Sequence, residues 1–112
     1  MSDQRTPIQR LDCYIVAKEV ARRVHAANIS DTELRDQATR AAKSTFLNMC
    51  EGLPQVSVAM RRKYFRCALG SLNEAIGAVD LAEAIGALGT DEAQAVAALA
   101  ERLRRMLFGL TR

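Results

Sequence analysis

A chain of 112 residues with a net charge of +3 is long enough for one small domain with a hydrophobic core. Its three cysteines are odd in number and far apart, which argues against a disulfide framework or a zinc site. No apolar run reaches the length of a membrane span, and the N-terminal segment lacks the apolar centre of a secretory signal. We therefore expect a single domain over residues 1–112, located in the cytoplasm, without a cofactor or a membrane contact.

The polar segment 1–7 is predicted to form a disordered arm. After it, apolar residues recur at spacings of three and four, which predicts a first helix over about 9–27. Asn28 is expected to end this helix, because asparagine tolerates the left-handed backbone conformation of a C-terminal stop.

A second helix is predicted over about 31–52. Ser30 and Glu33 have the S-x-x-E spacing of a capping box, in which the serine side chain accepts a hydrogen bond from the backbone of the first turn. Gly52 and Pro54 are expected to end the helix.

Two further helices complete the pattern. The longer is predicted over about 58–88 with Ser57 as its cap, and the other over about 91–110 with its start at Thr90. No segment alternates with period two, so strands are not expected. Four helices joined by short loops predict an all-α fold, an antiparallel up-down-up-down four-helix bundle.

Basic and acidic residues are separated along the chain. Residues 1–66 carry twelve Lys or Arg and seven Asp or Glu, residues 67–101 carry none and six, and residues 102–112 carry four and none. In the predicted bundle, the start of the third helix lies at the same pole as the end of the fourth helix and the N-terminal arm. One pole is therefore predicted to be basic and the other acidic.

The basic pole supplies the candidate nucleic-acid contacts, which are Arg61, Arg62, Lys63, Arg66, Arg104, Arg105 and Arg112. The helix dipole accounts for Arg104 and Arg105, because cations are favourable near a helix C-terminus. It does not account for the cluster Arg61–Arg66, which lies at a helix start. The excess of arginine over lysine suits phosphate contacts, although genomic codon usage explains it equally well.

Several residues of the second and third helices form a recognisable pattern. They are Leu34, Gln37, Arg40, Ala41, Ala42, Ser44, Asn48, Glu51 and Gly52, followed by Ala68, Gly70, Ser71, Glu74 and Ala82. This pattern resembles the small four-helix-bundle proteins first described as encoded by intervening sequences in bacterial 23S ribosomal RNA genes. The resemblance implies a homo-oligomer that forms a ring of five bundles, without enzymatic activity. For the related accessory proteins of diversity-generating retroelements, it also implies a basic surface that binds nucleic acid and a reverse transcriptase.

Five polar residues of this pattern fall on helix faces that are otherwise apolar. Ser44, Asn48 and Glu51 are spaced i, i+4 and i+7, and Ser71 and Glu74 lie one turn apart. They suit either a polar pocket or a hydrogen-bonded network that fixes helix register, and we expect the network. Gly70 and Gly77 are expected to allow a close approach of a neighbouring helix, which would offset their low helix propensity.

Catalysis is not expected. The single histidine, His25, falls at a helix end, and no Glu-x-x-His pair or glycine-rich phosphate loop is present. Glu51 and Glu74 could form a carboxylate pair, although a structural role is favoured. We expect no catalytic residue, no metal ligand and no cofactor.

Two functions remain open. The first is a homo-oligomeric, pentameric bundle whose basic face binds structured RNA or an RNA–DNA hybrid. The second is a protein–protein scaffold or accessory subunit, for example to a reverse transcriptase, in which the same arginines are used at protein interfaces.

Overall fold

The computed structural model describes residues 4–112 and contains four α-helices in that range. We number them α1 (Asp12–Ala26), α2 (Thr32–Gly52), α3 (Val58–Ala84) and α4 (Thr90–Leu110). A short 3-10 turn, Ile8–Arg10, precedes α1. No strand occurs in the part of the chain that is described, so the predicted all-α fold is confirmed.

The first α-helix begins later than the sequence pattern predicts. The Thr6 amide donates to Gln9 Oε1 at 2.8 Å and the Gln9 amide donates to Thr6 Oγ1 at 3.4 Å, which starts the 3-10 turn. Leu11 is extended, with φ −70° and ψ 140°, and separates this turn from α1. Residues 1–3 of the predicted disordered arm lie outside the described residues.

In the link between α1 and α2, the prediction for Asn28 is confirmed and the prediction for Ser30 is wrong. Asn28 adopts the left-handed conformation, with φ 52°, as expected for the end of a helix. The cap of α2 is Asp31 rather than Ser30, because Asp31 Oδ1 accepts from the Leu34 amide at 2.9 Å. Ser30 instead donates its amide to the Ala87 carbonyl oxygen at 3.0 Å and its hydroxyl to the same oxygen at 3.3 Å.

Helix α3 ends at Ala84, four residues before its predicted end. Gly86 has a φ of +79°, its amide donates to the Glu83 carbonyl, and the Ala87 amide donates to the Ala82 carbonyl at 2.8 Å. These bonds form the glycine-ended stop known as the Schellman motif. The apolar pattern runs on because Leu88 is buried in the core after the helix has ended.

The four helices pack as a ring of neighbours. Helix α1 contacts α2 and α4, and α3 contacts α2 and α4. The Tyr14 ring at the start of α1 meets the Phe46 ring near the end of α2, with centroids 5.0 Å apart, so these two helices run antiparallel. The side formed by α1 and α2 therefore lies opposite the side formed by α3 and α4.

Alanine makes up much of the core. Phe65 is the largest fully buried side chain, and Gly52 lies against its ring. The expectation for Gly70 and Gly77 is wrong, because a Cβ atom at either residue would meet nothing within 4 Å. Both glycines are exposed on α3 rather than facing a neighbouring helix.

Candidate nucleic-acid interface

The basic cluster at the start of α3 is built on a capped helix end. Ser57 Oγ accepts from the Met60 amide at 3.3 Å, as predicted for the cap. The segment of α3 up to Arg66 carries four exposed cations, and these form the basic cluster: Arg61, Arg62, Lys63 and Arg66. Phe65 is 1% exposed and anchors this segment in the core. The cluster is therefore held on a rigid element.

None of the four cations of the basic cluster has an ion-pair partner among residues 4–112. Of these cations, Arg61 lies nearest the first turn of α3, where an exposed positive charge is unfavourable by about 0.3–1 kcal/mol, and the effect fades beyond that turn. Nothing in the described protomer offsets this cost. The positive charge of the cluster is therefore exposed and forms no ion pair that would stabilise the fold.

The predicted arginines of α4 are placed differently, because they are already paired. Arg104 Nη2 lies 2.7 Å from Glu101 Oε1 and its Nε lies 2.8 Å from Glu101 Oε2, while Arg105 Nε lies 3.3 Å from Glu101 Oε1. Hydrogen bonds from Arg104, with a smaller contribution from Arg105, lower the pKa of Glu101 to about 2. The Arg112 guanidinium lies 5.9 Å from the centre of the Phe108 ring.

The structure joins three of the five residues of the predicted polar network. Ser44 Oγ and Ser71 Oγ are 2.8 Å apart, and this contact links α2 to α3. Asn48 Nδ2 donates to the Ser44 carbonyl oxygen at 3.0 Å and to Ser44 Oγ at 3.2 Å. These half-buried neutral groups satisfy one another, which suits a role in fixing register.

Glu51 and Glu74 lie outside this network. Both are exposed, and neither side chain makes a hydrogen bond or an ion pair within the described chain. Glu51 lies in the last turn of α2, where its backbone carbonyl accepts from Gln55 Nε2 at 3.1 Å. The predicted five-residue network therefore reduces to Ser44, Asn48 and Ser71.

Sequence reasoning missed the apolar residues that border the basic cluster. Val56 is 97% exposed in the loop between α2 and α3, and Val58 and Met60 are exposed at the start of α3. The available signal was the position of these residues next to Pro54 and Ser57, in a loop and a first turn where no partner helix can cover them. An apolar and basic surface of this kind suits a protein partner as well as a phosphate backbone.

The described residues hold no group of three or more His, Cys, Asp or Glu that could bind a metal ion. His25 is exposed, at the end of α1. Burial raises the pKa of the Cys13 and Cys50 thiols, whereas Cys67 is exposed. No helix in the described range is long and apolar enough to cross a membrane.

Comparison with known proteins places this fold. The profile of the family described as 23S rRNA-intervening sequence protein matches residues 9–109. The chain belongs to this family. A crystal structure from Bacteroides thetaiotaomicron, of a protein with unknown function from the S23 ribosomal protein family, is similar with a TM-score of 0.80 and 15% sequence identity. The alignment covers 89% of this chain and 98% of that one, and at this identity it shows the fold alone. No curated protein matches the sequence.

Proposed function

We propose that this 23S rRNA-intervening sequence protein is a non-catalytic homo-oligomer, a pentameric ring, whose basic face binds structured RNA or an RNA–DNA hybrid. The observation that carries the proposal is the basic cluster, whose exposed cations Arg61, Arg62, Lys63 and Arg66 have no ion-pair partner among residues 4–112. Phosphate groups of a bound nucleic acid would provide these side chains with the ion-pair partners that residues 4–112 do not provide.

The geometry ranks the seven candidate residues. The basic cluster can contact phosphates without breaking an internal ion pair. Arg104 and Arg105 share Glu101, so the gain from a phosphate contact is reduced by the loss of that pairing. We therefore expect the basic cluster to dominate affinity, and Arg104, Arg105 and Arg112 to contribute less.

Binding of this kind is independent of sequence and depends strongly on salt. Four phosphate contacts in each protomer predict a loss of affinity on the order of 100-fold between about 50 and about 200 mM salt. Side chains that contact only the backbone position the protein and carry no base readout.

The test measures fluorescence anisotropy of a labelled RNA hairpin and of an RNA–DNA hybrid across a salt series. Arg61→Glu/Arg62→Glu should weaken binding by at least about ten-fold at low salt. The matched control is Arg40→Glu/Arg102→Glu, which makes the same change in net charge at two exposed arginines that are not among the seven candidate residues. Equal loss in both variants, or no binding by the unaltered protein at low salt, would count against the proposal.

A second candidate function rests on the exposed apolar residues Val56, Val58 and Met60 beside the basic cluster. They favour an accessory subunit that docks on a protein with a complementary acidic and apolar surface, for example a reverse transcriptase. Val56→Ser/Met60→Ser leaves every charge in place, so it should leave RNA affinity unchanged and weaken a protein complex. A fall in RNA affinity in this variant would assign these residues to the nucleic-acid surface instead.

A further inference from the structure

We propose that neighbouring copies of this chain meet side to side, with the basic side of one bundle against an acidic groove of the next. The inference rests on the homo-oligomer of the proposed function and assigns the two surfaces that would form it. Both surfaces lie on the flanks of the bundle, away from the basic cluster at its pole.

The acidic groove runs between α3 and α4 and has a volume of about 130 Å³. Its walls are apolar and come from Ile76, Val79, Ala93, Val96, Ala97 and Ala100. Alanines on α4 leave the groove open where larger side chains would fill it. Asp80 and Glu83 stand at its edge, and neither has an ion-pair partner in the described chain. The groove holds about one long side chain with a positive end.

The basic side consists of the outer side of α1 and the cleft between α1 and α2. Two shallow cavities of about 280 and 340 Å³ lie along it. The lysine and arginine side chains that line them are Arg5, Lys18, Arg22, Arg35 and Lys43, and the acidic ones are Glu19 and Asp36. Glu19 is paired with Arg22 and Arg23, whereas Arg35 and Lys43 have no ion-pair partner among the described residues.

The two surfaces lie on different flanks of the bundle, because one is formed by α1 and α2 and the other by α3 and α4. A contact between two different surfaces of identical copies is heterologous, and such contacts close into a ring when the rotation allows. In a ring built this way, each copy uses both flanks and keeps both poles uncovered. The basic cluster of every copy then faces the same end of the ring.

Arg35 on the basic side also matches Asp80 and Glu83 in height along the bundle. Ser30 lies opposite Ala87 and Ser44 lies opposite Ser71, as their hydrogen bonds show. Interpolation between these two pairs puts Arg35 at the level of Leu81, between Asp80 and Glu83. When two bundles stand side by side with parallel axes, the Arg35 head group meets the carboxylates and its aliphatic stem covers the apolar wall.

The positions of these charges within their own helices support the pairing. Glu83 lies in the last turn of α3, and Arg35 lies just after the first turn of α2. A carboxylate near a helix C-terminus and a guanidinium near an N-terminus are both unfavourable. The described protomer offers neither residue a compensating partner, and a neighbouring copy would offer one to each.

The opposite end of both flanks carries exposed apolar residues. Ile15 lies on the outer side of α1 and Leu11 is exposed just before that helix, while Phe108 follows Ala97 and Glu101 on the groove side of α4. The start of α1 and the end of α4 are at the same pole, so parallel bundles bring these side chains to the same level. Each flank therefore combines an apolar end with a charged end in the same order.

Sedimentation velocity on the full chain tests the proposal by charge reversal. Asp80→Arg/Glu83→Arg reverses one flank and Arg35→Glu/Lys43→Glu reverses the other, and each should weaken assembly by at least about ten-fold. The quadruple variant carries both reversals, so position 35 again faces opposite charges at positions 80 and 83, and assembly should return. Controls with the same changes in net charge are Glu51→Arg/Glu74→Arg and Arg40→Glu/Arg102→Glu, which should assemble like the unaltered protein.

Every outcome of these experiments either supports the side-to-side contact or overturns it. Assembly that survives both single-flank reversals, or that the quadruple variant fails to recover while its far-UV dichroism is unchanged, overturns the side-to-side contact and leaves the oligomer itself standing. A monomer at all concentrations overturns both. If Arg35→Glu/Lys43→Glu lowers hairpin RNA affinity without affecting assembly, the basic side is a nucleic-acid surface and the contact is overturned. Arg61→Glu/Arg62→Glu should assemble normally, which separates this proposal from RNA binding.

Discussion

Gly52 at the end of α2 packs directly against the ring of Phe65 at the start of α3. A Cβ atom on Gly52 would lie 2.9 Å from Phe65 Cε1 and 3.0 Å from Tyr64 Cβ. The phenyl ring is fully buried and Tyr64 Cβ is fixed to the backbone of α3, so neither neighbour can move aside cheaply. The loop of residues 53–57 can therefore be short only because this position has no side chain.

Gly52→Ala should destabilise the protein. The substitution gains helix propensity, by less than about 1 kcal/mol near a helix end. It also forces a contact that no real Cβ atom shows, and overpacking of this kind costs about 1–3 kcal/mol. We expect the free energy of unfolding to fall by about 1 kcal/mol or more, measured by urea denaturation. An unchanged or raised midpoint would show that α2 and α3 separate easily here.

Gly70→Ala and Gly77→Ala are the matched contrast and should stabilise the protein. A Cβ atom at either position meets nothing within 4 Å, and both lie inside α3. Each substitution should raise the free energy of unfolding by about 0.5–1 kcal/mol through helix propensity. Differential scanning calorimetry on each variant measures the shift. A lower transition temperature at a protein concentration where the chain assembles would place that glycine in an interface between copies.

These glycines illustrate what the sequence could and could not predict. Periodicity identified all four helices, because burial requires apolar residues at spacings of three and four whatever the detailed packing. Periodicity could not predict which residues pack against a single glycine. Gly52, Gly70 and Gly77 are alike in sequence, and only the relative placement of α2 and α3 separates the one that is crowded from the two that are not.

The helix ends show the same division. Asn28 and Ser57 were predicted because each acts through its own backbone or the next turn. Ser30 was assigned the wrong role because its partner, the Ala87 carbonyl, lies in another loop.

In the candidate interface, the sequence alone was enough to predict the basic cluster. The pairing of Arg104 with Glu101 was also within reach, since i+3 neighbours of opposite charge meet on a helix.

The Ser44–Ser71 hydrogen bond should couple α2 to α3. Its atoms are 2.8 Å apart and half-buried, so removal of either hydroxyl leaves its partner partly unsatisfied. Ser71→Ala is expected to cost about 0.5–1.5 kcal/mol. A double-mutant cycle with Ser44→Ala should give a coupling energy of about 0.5 kcal/mol or more, since contacting residues are not additive. Additive losses of stability would mean that each hydroxyl has another hydrogen-bond partner, which for Ser44 is Asn48.

Glu101 should make the stability of the protein depend on acid pH. Hydrogen bonds from Arg104 and then charge interactions and a hydrogen bond with Arg105 lower its pKa from 4.5 to about 2. Because the folded-state pKa is below the ordinary value, the stabilisation is present above pH 4.5 and is lost as the pH falls toward 2. The Glu101 side chain is 43% exposed, so solvent and ions reach it and the effect should shrink as salt is raised.

Carbon-detected NMR can follow the Glu101 carboxyl directly, with a midpoint expected near pH 2. Arg104→Gln removes the principal partner and should raise the midpoint toward the ordinary value, whereas Arg105→Gln should raise it less, because Arg105 makes a single and longer contact of 3.3 Å. Glu101→Gln should flatten the fall in stability between pH 4.5 and 2.

Glu101→Gln should also release Arg104 and Arg105 at the basic pole, so RNA affinity at low salt should rise. An unchanged affinity would show that these two arginines do not face the bound nucleic acid.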